Sequence, residues 1–362
     1  MACGVKIWYL MSIMLSPLLN FRSFVHGEPQ VPCYFIFGDS LVDNGNNNAL
    51  VTLANVNFSP YGIDFPVGPT GRFTNGRTQA DIIGELLGFD SFIPPFATTI
   101  GSDILKGVNY ASGGAGIRSE TAKALGGRIS LKMQLINHKV IVSLIELLLL
   151  GNKAAAKDYL SKCIYSVGLG SNDYLNNYLQ PQFYSTSRKY TPDQYAAILI
   201  QQYSFKLRSL YKHGARKIAI HGLGQIGCIP AELATHATNG SACVDTINNA
   251  VQLFDKRLKP LVDDLNKDLH DAKFIYINTT SITSGNLLDL GIIVLNTPCC
   301  QVSTITGICI PGQAPCSNRT EYAFWDSFHP TEIINLISAR RAYNALLPTD
   351  TYPIDIRHLA KL

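Results

Sequence analysis

Five short apolar runs constrain this chain more than any other feature: Cys33–Phe37, Gly107–Ala111, Cys163–Val167, Lys217–Ile220 and Lys273–Ile277. Each is rich in Ile, Val, Tyr or Phe, and most stop at Gly, Asn or Ser, the pattern of buried strands. Helical periodicity fills the intervals, over Gln79–Leu87, Leu131–Leu150, Pro192–His213 and Asp245–Leu269. A last helix is expected from Pro330 to Leu346, with proline in its first turn. Strands alternating with helices imply an α/β fold whose parallel sheet is covered by helices on both faces. Val140–Leu150 is too short to cross a bilayer and carries Glu146, so it reads as a buried core helix. Asn44–Asn48 and Asn55–Thr78 read as loops on one rim. With no internal repeat or low-complexity linker, one domain is the simplest account.

The composition, 46% apolar and 15% charged, supports a sizeable core. The formal charge of +4 is spread along the chain without a basic run, so no nucleic-acid partner is expected. At the N-terminus, Lys6 precedes an apolar stretch from Ile7 to Leu19, and Val25 and Gly27 are the small residues expected before a cleavage point. Residues 1–27 therefore read as a secretory signal peptide and 28–362 as the mature domain. Ser12, Ser16 and Pro17 make the stretch a poor membrane anchor. The ending Ala360-Lys361-Leu362 loosely matches a peroxisomal address, which a secretory signal would override. A secreted, extracellular protein without a transmembrane anchor is expected. Of nine cysteines, eight remain once Cys3 leaves with the signal, an even set that points to disulfides of open connectivity. Zinc at the last four is disfavoured because no regular Cys-x-x-Cys pair accompanies them. Sequons at Asn57, Asn239, Asn278 and Asn318 become candidate glycan sites, with Pro60 weakening the first.

The chemistry centres on Phe35-Ile36-Phe37-Gly38-Asp39-Ser40. A buried strand stops at Gly38 and a serine follows in the turn, at the carboxyl edge where ligands of parallel sheets gather. An ordinary Asp-Ser turn would look the same. A serine hydroxyl needs a base, and the base an orienting group. Two of eight histidines follow an aspartate by three residues, Asp326/His329 and Asp355/His358. That spacing lets a carboxylate hold the imidazole while its far nitrogen faces the serine. Asp326 and His329 are preferred, because buried-type aromatics and Pro330 flank them while the other pair sits in a C-terminal tail. His221 ends a strand and is the next candidate, although a core histidine is the blander account. His26 would leave with the signal, and His138, His213, His236 and His270 read as surface residues. Acyl transfer also needs donors for an oxyanion. Asn109–Gly116 and Gly168–Asp173 both leave strands at the rim where Ser40 must lie, and Asn172 could offer its amide. Either could be only a tight turn.

Together these blocks resemble the GDSL esterase/lipase family of the SGNH hydrolases, most of all its secreted plant members. The resemblance runs from about Cys33 to Leu347. Phe37–Ser40, Asn109–Gly116, Gly170–Asp173 and Trp325–Pro330 match four blocks in order. It implies Ser40 as nucleophile, His329 as base and Asp326 as orienting group. It further implies an oxyanion hole from the N–H groups of Ser40 and Gly114 and the amide of Asn172, with Gly113 the competing position. The implied fold is a flavodoxin-like three-layer α/β/α sandwich with a central five-stranded parallel sheet. Gln225 stands where plant members often carry proline, which bears on loop shape more than on activity. Gly222–Gly227 also spells a dinucleotide fingerprint with Asp245 downstream, but Pro230 interrupts the helix such a site needs.

The expected activity is hydrolysis of carboxylic esters through an acyl-enzyme, with lipid, acetylated polysaccharide and small phenolic esters as open substrate classes. An acyltransferase using the same intermediate and a secreted binding protein without turnover are the alternatives. No cofactor and no metal are called for, and a monomer is expected. The Gly-x-Ser-x-Gly elbow of α/β-hydrolase lipases is absent from the sequence.

Overall fold

A strand that is apolar at every position needs cover on both faces, and four of the five expected runs become sheet strands that receive it. In the computed structural model, which describes residues 27–285 and 287–362, β1 (Tyr34–Gly38), β2 (Ile164–Gly168), β3 (Lys217–His221) and β4 (Lys273–Ile277) lie side by side in parallel. The signal-peptide expectation falls on residues outside this range, Gly27 excepted. Register places Phe35 opposite Tyr165, Tyr165 opposite Ile218 and Ile218 opposite Phe274. This row faces the helices Leu131–Leu148, Lys153–Lys162, Pro192–Lys212 and Asp245–Asp268. Alternate residues, among them Ile36, Ile164, Ala219 and Ile275, face Gln79–Leu86, Glu332–Tyr343 and Ile356–Ala360. The outcome is a three-layer α/β/α sandwich. Each fully buried aromatic of the row stabilises it by about 1.5–3 kcal/mol.

Local chemistry sets the helix starts. Thr191 caps Pro192–Lys212 in a reciprocal box with Gln194, and Thr78 caps Gln79–Leu86 in the same way with Asp81. The last helix begins later than its proline suggests, at Glu332. Before it, the Trp325 N–H donates to the His329 carbonyl and the Thr331 N–H to the Ala323 carbonyl. Those pairings hold residues 329–331 extended, so the helix starts only after them.

Five strands form the main sheet, but it is mostly rather than wholly parallel. A small separate ribbon pairs β5 (Val294–Pro298) with β6 (Tyr322–Phe324), and the fifth main strand is β7 (Thr351–Tyr352), antiparallel to β4. The expected strand Gly107–Ala111 does lie along the free edge of β1, with the Ile36 N–H donating to Val108 and the Tyr110 N–H to Ile36. Side-chain amides break its ladder. Asn46 Nδ2 donates to the carbonyls of Asn109 and Ala111, and Asn109 Oδ1 accepts from the Ala111 N–H. The loop expectation at Asn44–Asn48 thus becomes a set of clamps on the neighbouring segment.

The reading of Val140–Leu150 as a buried core helix needs correction. Leu131–Leu148 buries Leu131, Leu135, His138, Ile141 and Ile145 on one face, while Met133, Ile136, Val140, Leu144 and Leu147 on the other are exposed. Its charges are too few to show which face turns inward. Among the described residues, no helix is long and apolar enough to cross a membrane. Four disulfides pair the eight cysteines, as Cys33–Cys163, Cys228–Cys243, Cys299–Cys316 and Cys300–Cys309. The last two brace the segment that packs on Trp325 and Tyr61.

Candidate active site

The site starts where β1 runs out. Gly38 must be glycine, because a Cβ there would meet Val42 Cγ2 at 2.3 Å. The chain then turns sharply, with the Asp39 carbonyl accepting from the N–H of Asp43 at 3.0 Å and Asp39 Oδ1 from Leu41 at 3.0 Å. Gln134 satisfies both backbone groups of Gly38 and so fixes the end of the strand. Ser40 is thereby presented half-buried at the carboxyl edge of the sheet.

From the far end of the chain, β6 delivers Trp325–His329 to the same edge. His329 Nε2 lies 2.8 Å from Ser40 Oγ. Its Nδ1 lies 2.8 Å from each oxygen of Asp326. Donation from Nδ1 to the carboxylate leaves Nε2 free to accept the serine proton. Asp326 is wholly buried, an expensive position for a charge without partners. It has several. Oδ1 accepts from the backbone N–H groups of Phe328 and His329, and Oδ2 accepts from the Tyr61 hydroxyl at 2.6 Å. The Tyr61 oxygen in turn accepts from the Cys309 N–H at 3.1 Å. Phe73 packs on the imidazole with ring centroids 4.8 Å apart.

Two loops complete the edge. Gly113 and Gly114 follow the strand-like segment beside β1, and Asp43 Oδ2 takes the Gly113 N–H at 2.9 Å. Among the described residues the N–H groups of Ser40 and Gly114 have no acceptor. Gly114, at φ +79°, occupies backbone space that favours glycine. This difference separates Gly114 from the competing Gly113. After β2, the turn Ser171–Asp173 carries Asn172, whose Nδ2 donates one proton to the Ala115 carbonyl at 3.1 Å. Its second N–H remains for a ligand. Ser40, Gly114, Asn172 and His329 all line one cleft of about 1820 Å³.

Buried carboxylates hold the loops in place. Asp173 accepts from the N–H groups of Ile117 and Arg118 and from the Thr121 hydroxyl. Burial pushes Asp39, Asp43 and Asp173 up to about 6, against the lowering effect of those hydrogen bonds. Tyr61, Phe73, Asp43 and Asp173 did not emerge as functional candidates from the sequence. Asp173 closes one of the recognised blocks and Asp43 follows another by three residues, whereas Tyr61 lies in an irregular loop with no local signal.

The remaining histidines divide differently from their sequence reading. His221 is a core residue whose Nε2 lies 2.7 Å from Ser166 Oγ, and burial pulls it down to about 4. His138, read as a surface residue, is completely buried, with Nδ1 3.0 Å from the Tyr110 hydroxyl and Phe35, Phe37 and Tyr165 around it. It falls at i+3 and i+7 from Leu135 and Leu131, on the buried face of its helix. Asp355 and His358 reproduce the Asp–His contact at 2.7 Å but lie at the start of a terminal helix with His358 exposed. The Gly222–Gly227 stretch enters a short 3₁₀ turn, Ile226–Cys228, and the Gly227 N–H is taken by Asn248. Asn57, Asn239 and Asn318 are exposed, whereas Asn278 is half-buried and its Nδ2 already donates to the Thr349 carbonyl.

The model of the GDSL-like lipase/acylhydrolase family matches residues 34–341. A GDSL esterase/lipase of Arabidopsis thaliana is 54% identical over 340 residues, covering 92% of this chain and 93% of its own. A second from the same plant is 52% identical over 366 residues, covering 99% and 98%. Among solved structures, an extracellular lipase from Streptomyces rimosus aligns with 84% of this chain and 98% of its own at 14% identity and a TM-score of 0.34, a slight likeness. The match over nearly all of the sheet and site, with relatives above half identical over more than nine-tenths of their length, places this chain in the GDSL-like lipase/acylhydrolase family of ester hydrolases.

Proposed function

We propose that this protein is a secreted serine esterase or lipase whose single domain spans residues 28–362. The reading rests on one observation above all, the 2.8 Å approach of His329 Nε2 to Ser40 Oγ with Asp326 behind the ring. Ser40 Oγ attacks the ester carbonyl carbon as its proton passes to His329 Nε2. The developing oxyanion is received by the N–H groups of Ser40 and Gly114 and the Asn172 amide. One such donor is typically worth about 3–4 kcal/mol of barrier. The tetrahedral intermediate collapses, and His329 gives its proton to the departing alcohol. Water, deprotonated by His329, then attacks the Ser40 ester and releases the acid.

Tyr61 acts as a positioning residue: it touches Asp326 and holds the carboxylate that orients the base. Secretion is supported by the four disulfides, a pattern favoured by oxidising compartments. Exposure supports glycans at Asn57, Asn239 and Asn318, and the engaged amide of Asn278 speaks against one there.

The test is hydrolysis of nitrophenyl esters by the purified protein beside Ser40→Ala. Loss of turnover in a folded variant is expected. Equal turnover by the variant sinks the serine mechanism, and an acylated alcohol in place of free acid reassigns the enzyme to acyl transfer.

A further inference from the structure

The walls of the cleft say more about the substrate than the reacting groups do. Beside the oxyanion loop Ala122, Leu125, Leu175 and Leu179 give the cleft an apolar flank, with Asn176 and Gln180 between them. A Cβ added to Gly114 would sit 3.4 Å from Ala122 Cβ, 3.7 Å from Leu125 Cδ1 and 3.9 Å from Arg128 Cβ, and the Arg128 guanidinium is held by the Thr121 and Ser119 carbonyls, so the wall within contact distance of the loop is apolar. Leu53 joins that wall through its N–H, which donates to the Leu125 carbonyl at 2.8 Å. Further apolar side chains continue along the cleft, and its mouth is ringed by exposed ones. Phe183 is 66% exposed and Ile305 90%. Large apolar groups concentrated at the mouth of a cleft mark a surface that meets something apolar.

Charge sharpens this. Among the described residues no lysine or arginine lines the cleft. Its ionisable members are Asp39, Tyr184, Glu232, His236 and His329. Glu232 is buried, with His236 Nδ1 2.9 Å from its carboxyl, and Asp39 lies buried beside Ser40. A phosphate or carboxylate brought into such a cleft loses water and, among the described residues, finds no lysine or arginine lining it to offset that loss. A neutral acyl chain meets no such cost, and each methylene it buries favours binding roughly fourfold.

We infer that the cleft selects electrically neutral long-chain lipid esters and discriminates against esters with an anionic headgroup. This rests on the ester-hydrolase reading above and adds the substrate class to it.

The experiment compares two lipids with the same oleoyl chains, dioleoylglycerol and dioleoylphosphatidylglycerol, diluted in the same uncharged detergent micelles. Nitrophenyl butyrate is measured in parallel as the control for the ester-hydrolase reading. The neutral lipid should be hydrolysed at least tenfold faster. Leu53→Arg, which puts a cation at an exposed position of the rim, should raise the ratio of anionic to neutral turnover at least threefold. Equal or faster hydrolysis of the anionic lipid overturns the inference, and so does an unchanged ratio in Leu53→Arg. Cleavage of the butyrate ester without either lipid overturns the long-chain assignment while leaving the esterase standing. Loss of all three activities in folded protein removes the ester-hydrolase reading itself.

Discussion

Two aspartate–histidine pairs in this chain have the same spacing and nearly the same local geometry. In Asp326/His329 and Asp355/His358 alike, the carboxylate accepts from the backbone N–H three residues on and from the ring Nδ1 of the same histidine. They differ in surroundings. His329 exposes 7% of its side chain and His358 59%. The first pair has Ser40 ahead of it, Tyr61 behind it and Phe73 across the ring. The second caps a five-residue terminal helix. The i, i+3 contact is therefore a common local motif, and its chemistry comes from what the fold packs around it.

The largest expected difference lies in the bases. His329→Ala should lower kcat/KM by at least about 10³–10⁴-fold on a nitrophenyl ester, while His358→Ala stays within twofold of the parent. A comparable loss in both would dissolve the distinction. Next come the carboxylates. Asp326→Asn should cost on the order of 10⁴ in kcat, because an amide cannot impose the required tautomer. Asp355→Ala should leave kcat alone and lower thermal stability by about 0.5–2 kcal/mol through loss of a helix cap.

Tyr61→Phe probes the hydroxyl that stands behind Asp326 and also receives the Cys309 N–H. It removes the hydrogen bond to a buried charge, which should lower stability by about 1.5–3 kcal/mol, and leaves the Cys309 N–H without its acceptor, about 1–3 kcal/mol more. We also expect kcat to fall by about tenfold with KM nearly constant, a split that a merely structural loss would not produce. A variant with unchanged kcat would falsify the positioning role.

The smallest expected effect concerns His221, a histidine the site does not use. Burial lowers its folded value to about 4 from the ordinary 6.5. The unfolded chain then binds more protons between those values, so this residue's stability contribution is complete above pH 6.5 and lost as pH falls towards 4. Between pH 7 and 5 that amounts to about 2 kcal/mol. His221→Asn should flatten this part of the profile in thermal melts, and a curve parallel to the parent's would refute the assignment.

Much of the fold was legible because its signals are local. Four of the main strands are continuous apolar runs, and Pro192–Lys212 carries its capping box in sequence. The fifth strand was not legible, since Thr351–Tyr352 is two residues long and has no apolar run. Gly107–Ala111 looked like a strand and lies like one, but Asn46 and Asn109 divert its carbonyls and N–H groups. At the site, Ser40, Asp326 and His329 stood in recognisable blocks. Tyr61 did not, because its partner is 265 residues away and its own loop has neither periodicity nor motif.

What the sequence determined alone is the set of parts: apolar runs that must be covered on both faces, a serine in the turn after the first of them, and a carboxylate three residues before a histidine. These follow from patterns spanning one strand or one turn. The sequence already preferred Asp326/His329 and Gly114; only the tertiary structure decided what surrounds that pair, that Tyr61 backs its carboxylate, and which walls the substrate would touch. Each of those depends on side chains brought together across tens to hundreds of residues, and their hydrogen bonds and burial exist only once the layers have packed.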